Sequence, residues 1–204
     1  MLESLDREIK SIISDTYVFG IILERKEEFS AMKRASLEDK FSELVFCTLT
    51  ANTSAEMGLR CQEYLDRINK YDEESIKDSL IRCHYRFPNA RSRFIAENYQ
   101  KRNLLPEILR SRNRRSLLVE NYIGIGMKEA SHFLRNTGYF QYPILDKHIQ
   151  RFLSNYYGRE VKVKNSKEYE MEEKLFLDIS ARYRLEPGIM DLVVWYLMTG
   201  KILK

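Results

Sequence analysis

The sequence contains few residues of the types that bind metal ions. Its 204 residues include three cysteines, Cys47, Cys61 and Cys83, without a CxxC spacing, and three histidines at the scattered positions 84, 132 and 148. Metal sites in proteins need clusters of such ligands at suitable spacings. The sequence therefore predicts neither a metal site nor a cofactor. We expect the three cysteines to be free, buried thiols in a reducing compartment.

Long apolar runs are also missing. No stretch reaches the roughly 18 residues that a membrane span needs, and the acidic residues Glu3, Asp6 and Glu8 do not fit the charged-then-apolar order of a signal peptide. The formal net charge is only +4, so a polyanionic partner would have to be met by a local basic patch. These features favour a cytoplasmic protein that makes no membrane contact.

Signals for β-structure are absent as well. No segment alternates apolar and polar residues convincingly, and apolar residues recur instead at helical spacing, which predicts an all-α fold. Ser36 and Asp39 fit a capping box at a helix start. Without repeats or a low-complexity linker, we expect one two-lobed unit over residues 1–204. Helix starts are predicted near Ala55, Glu73, Pro88, Leu105, Met127, Asp146, Lys167 and Pro187, with Gly138 and Gly200 at helix ends.

A Gly-x-Gly hairpin, Gly124-Ile125-Gly126, stands directly before the helix predicted to start at Met127. Glycine permits turns that other residues avoid and lets another group approach the backbone closely. The N–H groups of the hairpin and of the helix N-terminus can bind a phosphate oxygen. Many helix connections use glycine for the turn alone, so both interpretations stay open here.

Lys128 lies in the first turn of that helix, where the helix dipole disfavours a positive charge. The position favours the neutral amine, which is the form that can attack C1′ of a sugar. A solvated surface lysine is the alternative interpretation.

Asp146 stands where the next helix needs an N-cap. Aspartate caps helices routinely, but its carboxylate can also stabilise positive charge that develops on a deoxyribose ring, or steer the proton of the lysine. His148 can donate to a phosphate or serve as a structural histidine. The arginines of residues 82–93, interleaved with aromatics, and those of residues 110–115 suit contacts with a DNA backbone as well as solvated helix faces.

Taken together, these segments resemble a known family. Residues 122–149, YIGIGMKEASHFLRNTGYFQYPILDKHI, are similar to the helix-hairpin-helix segment of the archaeal and bacterial-type 8-oxoguanine DNA glycosylase/AP lyases. The segments ELVFCTLTANTSAEMG, RFPNARSRFIAEN and WYLMTGKILK resemble the same family. The similarity therefore covers most of the chain from Glu43 to Lys204.

The resemblance implies a two-lobed, all-helical glycosylase with a helix-hairpin-helix motif at about residues 117–137 and an active site in the cleft between the lobes. Such an enzyme would flip 8-oxoguanine out of double-stranded DNA. Lys128 would attack C1′ and form a Schiff base, a lyase step would follow, and Asp146 would be the essential carboxylate. Ile123, Gly124 and Gly126 would hold the DNA backbone, with His148 as a further phosphate donor.

Four further roles are implied by the resemblance, and we expect the enzyme to act as a monomer. The terminal carboxylate of Lys204 would take part in recognising the lesion, Trp195 would stack on the extruded base and Phe87 would cover its other face. Asn52 would fill the space that the base leaves in the duplex. The alternatives are a core position for Trp195 and a frayed end for Lys204.

Two other functions remain open at this point. The iron–sulfur branch of the superfamily carries four cysteines near the C-terminus, whereas this chain has none beyond Cys83. The first alternative is therefore a lyase-type glycosylase for another damaged base. The second is a non-catalytic helix-hairpin-helix module that binds DNA.

Overall fold

The computed structural model describes residues 2–202, apart from the side chain of Leu2. All regular structure within that range is helical, which confirms the predicted fold class. The chain divides into two compact units: a terminal unit, Met1–Lys33 with Leu134–Lys204, and a central unit, Arg34–Phe133. No helix in the described range is both long and apolar enough to cross a membrane. That residues 1–204 act as a single unit stays a prediction.

The eight predicted helix starts agree with the observed bounds to within a residue or two. Two helices, the second and the eighth, were not delimited from the sequence. In chain order the helices are α1 (Leu2–Ser14), α2 (Thr16–Ala31), α3 (Leu37–Thr50), α4 (Ala55–Leu65), α5 (Glu73–Arg82), α6 (Pro88–Gln100), α7 (Leu105–Arg110), α8 (Arg114–Asn121), α9 (Met127–Asn136), α10 (Lys147–Tyr157), α11 (Ser166–Arg182) and α12 (Pro187–Thr199), with 3-10 turns at Met32–Arg34 and Arg102–Leu104.

The central unit is organised around α3. This helix starts at the predicted capping box, in which Ser36 Oγ accepts the Asp39 N–H at 3.0 Å and the Asp39 carboxylate accepts the Ser36 N–H at 3.2 Å. Most of α3 from Phe41 to Leu49 is buried, and the helix packs against α4, α6 and α7. A helix that is apolar on nearly every side has to lie inside its unit, and α3 meets that expectation.

The terminal unit has α12 as its core helix. Seven consecutive residues, Gly188 to Val194, are buried, and α12 packs against α1, α2, α10 and α11. Pro187 occupies the first turn, where its missing N–H costs little. Gly200 ends the helix in the left-handed conformation, with φ 69°.

The prediction of three free thiols is wrong for two of the cysteines. Cys61 on α4 and Cys83 at the end of α5 form a disulfide, while Cys47 on α3 is buried, as expected, and takes no part in that disulfide. The packing of α4 against α5 brings the two Cα atoms to 5.6 Å, within the span of a disulfide. The sequence could not reveal this pair because the two cysteines lie 22 positions apart and meet only through helix packing.

The disulfide is expected to stabilise the fold by about 3 kcal/mol, because it closes a loop of 22 residues in the unfolded chain. Denaturant unfolding of the double variant Cys61→Ala/Cys83→Ala should show that loss. The wild type unfolded in the presence of a thiol reductant should show the same loss, and the double variant should not respond to the reductant. A wild-type midpoint that reductant leaves unmoved would contradict the prediction.

Candidate active site

The predicted hairpin lies between α8 and α9, at residues 122–126. Gly124 is exposed and adopts φ 77°, a left-handed conformation that favours glycine. A Cβ atom on Gly124 would also lie 2.5 Å from Cδ2 of Phe94. The residue thus has to be glycine both for its backbone conformation and for the close approach of the Phe94 ring.

Two side chains from outside the motif hold the hairpin. The Asn98 side chain, on α6, donates to the Ile123 carbonyl and accepts the Ile123 N–H, both at 2.9 Å. The Tyr122 hydroxyl donates to the carbonyl of Lys101 at 3.0 Å. Burial raises the pKa of Tyr122 well above its ordinary value, so the hydroxyl stays a donor at every physiological pH.

Lys128 lies in the first turn of α9, as predicted, and its side chain is 31% exposed. Its Nζ atom is 2.9 Å from Oε1 of Glu129, while Oε2 of the same carboxylate accepts the Gly126 N–H at 3.3 Å. One carboxylate therefore contacts both the amine and a hairpin amide. We did not single out Glu129 from the sequence, although Gly126-x-x-Glu129 has the spacing of an N-cap residue and its N3 partner.

Asp146 is the N-cap of α10, as predicted. Its Oδ1 atom accepts the N–H groups of His148 and Ile149 at 2.8 and 2.9 Å. Because both bonds use Oδ1, the second carboxylate oxygen can take another partner.

The segment that leads into Asp146 is held by buried side chains. The Tyr169 hydroxyl donates to the Pro143 carbonyl at 3.0 Å and accepts the Leu145 N–H at 3.1 Å. Between them, the Ile144 N–H donates to Oδ2 of Asp191 at 3.0 Å. Three consecutive residues are thereby fixed by two side chains from α11 and α12.

Asp191 is itself part of a buried ion pair. Its Oδ1 atom is 2.7 Å from Nη1 of Arg135 on α9. Burial, with a smaller effect of the nearby Asp146 carboxylate, raises the pKa of Asp191 to about 6 against the opposing effects of Arg135 and of the Ile144 N–H. A buried carboxylate of this kind needs both partners, so this pair ties the Asp146 segment to α9 within the terminal unit.

The remaining candidates fall into both units. In the terminal unit, the rings of His148 and Trp195 meet edge to face with centroids 6.3 Å apart, and His148 Nδ1 is buried without a hydrogen-bond partner in the described chain. In the central unit, Phe87 is the N-cap residue of α6, and its ring centroid is 6.5 Å from that of Tyr85. Exposed Asn52 adopts φ 63° in the turn between α3 and α4. Lys204 lies outside the described residues.

The structure thus places the predicted residues on two units. Lys128, the hairpin, Asn52 and Phe87 belong to the central unit, whereas Asp146, His148 and Trp195 belong to the terminal unit. Apart from Trp195, which lies inside α12, the candidates are at helix starts or turns, where backbone N–H groups are accessible to a ligand. The catalytic and DNA-binding roles of all these residues remain predictions.

Comparison with known proteins bears on the chain as a whole. Residues 22–185 match the model of the 8-oxoguanine DNA glycosylase family. An 8-oxoguanine DNA glycosylase/AP lyase of Thermoplasma acidophilum is 44% identical over 196 residues, which cover 94% of this chain and 96% of the relative. The corresponding protein of Picrophilus torridus is 42% identical over 190 residues, 91% of each chain.

Solved structures agree with this assignment. The 8-oxoguanine glycosylase/lyase of Methanocaldococcus jannaschii, solved with a 15mer DNA containing 8-oxoguanine, matches with a TM-score of 0.92 and 35% identity, covering 98% of this chain and 100% of that one. The 8-oxoguanine DNA glycosylase of Thermotoga maritima matches with a TM-score of 0.91 and 34% identity over the full length of both chains. On sequence and fold alike, the chain belongs to the 8-oxoguanine DNA glycosylase family.

Proposed function

We propose that this chain excises 8-oxoguanine from duplex DNA and then cleaves the strand at the resulting abasic site, with Lys128 as the nucleophile. The observation that carries the proposal is the amine of Lys128 in the first turn of α9, directly after a Gly-x-Gly hairpin whose first glycine is exposed. The relatives of this chain are named glycosylase/AP lyases, and we therefore assign to this amine the nucleophilic step of that reaction.

The reaction proceeds in two stages once the damaged base has been flipped out of the duplex. The neutral amine of Lys128 bonds to C1′ while the C1′–N9 bond breaks, and the base leaves with that electron pair and takes up a proton. Opening of the sugar ring gives a protonated Schiff base between Nζ and C1′. Loss of a C2′ proton then expels the 3′ phosphate, and water releases the lysine.

Glu129 has to change partners during this sequence. A protonated amine paired with a carboxylate is not a nucleophile, so Lys128 must leave the 2.9 Å contact and lose a proton before it attacks. A DNA phosphate at the hairpin would compete with the same carboxylate for the Gly126 N–H. Phosphate binding at the hairpin would therefore displace the carboxylate that holds Lys128, and the Lys128–Glu129 contact would rearrange with it.

Asp146 serves as the carboxylate that stabilises positive charge on the sugar as the base departs. Its cap bonds to His148 and Ile149 fix Oδ1, and the Tyr169 and Asp191 contacts fix the preceding backbone, so the carboxylate needs little reorganisation during the reaction. Ile123, Gly124, Gly126 and His148 bind the DNA backbone in this scheme.

Lesion recognition is assigned to the C-terminus and three other positions. Trp195 and Phe87 cover the two faces of the extruded base, and Asn52 fills the gap in the duplex. The left-handed, exposed Asn52 within a tight turn is suited to insertion. The protein acts as a cytoplasmic monomer on chromosomal DNA, and no membrane takes part.

The role of the C-terminal carboxylate leads to a specific prediction. Appending one glycine after Lys204 keeps the lysine side chain but moves the carboxylate, so excision of 8-oxoguanine should fall by about tenfold or more, the range for a lost buried hydrogen bond. Cleavage of a preformed abasic site should not change, because no base has to be recognised there. Deletion of Lys204 should act in the same direction. Unchanged excision in both proteins would show that the C-terminal carboxylate takes no part in recognising the lesion.

The proposed function is tested with the unmodified protein on three matched duplexes, carrying 8-oxoguanine, guanine or an abasic site at one position. We expect strand cleavage at 8-oxoguanine and at the abasic site but not at guanine. Cleavage at the abasic site alone would favour the first alternative function, a lyase-type glycosylase for another damaged base. Binding to all three duplexes without cleavage of any would mean a non-catalytic DNA-binding module.

A further inference from the structure

Three side chains of α6 contact the two segments of the central unit to which we assign DNA contacts. Arg91, Phe94 and Asn98 are spaced i, i+3 and i+7, so they lie on one face of the helix over a rise of about 10 Å. Asn98 and Phe94 contact the hairpin, whereas Arg91 contacts the turn that carries Asn52. We name this face of α6 the support face.

The Asn98 contact determines how the hairpin backbone is oriented. Its amide makes both a donor and an acceptor bond to the backbone of Ile123, a residue 25 positions away, and Asn98 is only 2% exposed. Two bonds from one planar amide fix both the position and the rotation of the residue that they hold. The peptide that follows Ile123 carries the N–H of Gly124, so Asn98 sets the direction of that donor.

The ring of Phe94 packs directly against the exposed Gly124. Its Cδ2 atom would be 2.5 Å from a Cβ on Gly124, so ring and backbone are in direct contact. The guanidinium groups of Arg91 and Arg93 lie over the same ring at 5.4 and 5.5 Å. The hairpin is thus supported from α6 by an aromatic ring over which two cations lie.

The Arg91 contact fixes the second segment. Its Nη2 atom donates to the Ala51 carbonyl at 3.2 Å, and Arg91 is only 9% exposed. Ala51 directly precedes Asn52, which is exposed and adopts the left-handed conformation. The same helix face therefore holds the residue before the duplex-filling candidate and the residue before the first hairpin glycine.

We propose that α6 is the positioning helix of the DNA-binding surface of the central unit, and that Asn98 is the residue that aligns the hairpin amides with a DNA phosphate. The proposal rests on the proposed function for the assignment of the hairpin and of Asn52 to DNA. Asn98 acts through the hairpin and does not contact the reacting atoms, so it is a positioning residue. We therefore expect a substitution of Asn98 to lower the affinity for DNA through the contact with one phosphate.

The test combines a protein change with the removal of single phosphate charges from the DNA. Asn98→Ala and the wild type are titrated with duplexes containing an abasic analogue, in which each phosphate near the analogue is replaced in turn by a neutral methylphosphonate. The wild type should lose about tenfold in affinity at the phosphate that the hairpin binds, whereas Asn98→Ala should start about tenfold weaker and lose less than about threefold there. Replacement of any other phosphate should lower the affinity of both proteins by the same factor.

Gln62→Ala is the matched control variant. The Gln62 amide also donates to a backbone carbonyl, that of Ser42 at 2.9 Å, but it joins α3 to α4 and does not touch the hairpin. The control should therefore lose stability without losing the response to any methylphosphonate. If Asn98→Ala behaves as Gln62→Ala does, with wild-type affinity and wild-type phosphate sensitivity, Asn98 is only structural and the proposal is overturned.

Two further measurements separate this proposal from its alternatives. If Asn98→Ala does not fold, Asn98→Ser keeps a polar group in the buried position and is titrated in the same way, with the same two outcomes. Single-turnover cleavage of a preformed abasic site at saturating DNA should stay within about threefold of the wild type, because Asn98 does not act on the chemistry. Failure of the proposed function would appear as a wild type that never cleaves, and the binding titration does not depend on cleavage.

Discussion

Lys128→Gln is expected to abolish the covalent adduct that borohydride traps between the protein and a duplex containing 8-oxoguanine. The Schiff base exists only as a bond from the lysine nitrogen to C1′, and an amide nitrogen cannot form it. We expect single-turnover excision to fall by at least about 10³-fold, as is usual when a covalent nucleophile is removed. Gel analysis after borohydride treatment measures the adduct, and strand cleavage measures the rate.

Such a loss would reflect chemistry and not folding. The Lys128 side chain is 31% exposed and lies in the first turn of α9, where removal of a positive charge relieves an unfavourable interaction with the helix dipole. Glutamine is a good helix former and can still donate to Glu129. The free energy of unfolding should therefore stay within about 0.5 kcal/mol of the wild type.

Lys147→Gln is the matched control for that experiment. Lys147 is an exposed lysine in the first turn of α10 and adjoins Asp146 in sequence, so its replacement removes the same charge next to the other catalytic candidate. It should keep the full adduct at saturating DNA. An adduct of wild-type intensity in Lys128→Gln would mean that another amine is the nucleophile.

The helix bounds could be read from the sequence because their signals are local. Ser36, Asp39 and Asp146 are capping residues, and Gly200 ends its helix, each through groups a few positions away. The same reasoning should have found α2, since Asp15 caps it as Asp146 caps α10. That helix was not delimited because its apolar residues do not form one stripe at helical spacing.

The supports of the candidate site could not be read in this way. Asn98 and Ile123 are 25 positions apart, Tyr169 and Leu145 are 24 apart, and Asp191 and Ile144 are 47 apart. Each pair joins a side chain to a backbone group. Because every residue carries a backbone carbonyl, and nearly every residue a backbone N–H, the sequence does not show which one is the partner. The disulfide joins two side chains, but its cysteines are also distant in sequence, 22 positions apart. Long-range packing decides such contacts, whereas the hairpin and Lys128 depend on adjacent residues.

Asp146→Asn is expected to leave DNA binding intact and to reduce turnover by about 10² to 10⁴-fold. Asparagine caps helices as well as aspartate, and its Oδ1 atom can accept the same His148 and Ile149 N–H groups. The substitution therefore removes the negative charge and keeps the geometry, so the expected loss belongs to electrostatic stabilisation of the charged sugar. Affinity for DNA should be retained, since an anion near the phosphates is removed.

Asp15→Asn provides a control for the cap itself. Asp15 caps α2 with the same pattern, in which Oδ1 accepts the Tyr17 and Val18 N–H groups at 2.9 and 3.0 Å, and it lies in the same terminal unit. It should lose neither stability nor turnover. Asp146→Ala extends the series: it should lose turnover as Asp146→Asn does and also about 1 kcal/mol of unfolding free energy, because alanine cannot cap.

The three variants together separate the two roles of Asp146. If the carboxylate matters only as a cap, Asp146→Asn will turn over like the wild type and only Asp146→Ala will be impaired, through stability. If it also stabilises the sugar, both variants lose turnover equally although only one loses the cap. The Asp191 and Tyr169 contacts sharpen this comparison, because they hold residues 143–145 independently of the Asp146 side chain. A loss of turnover in Asp146→Asn then cannot be ascribed to a displaced backbone, which leaves the missing charge as its cause.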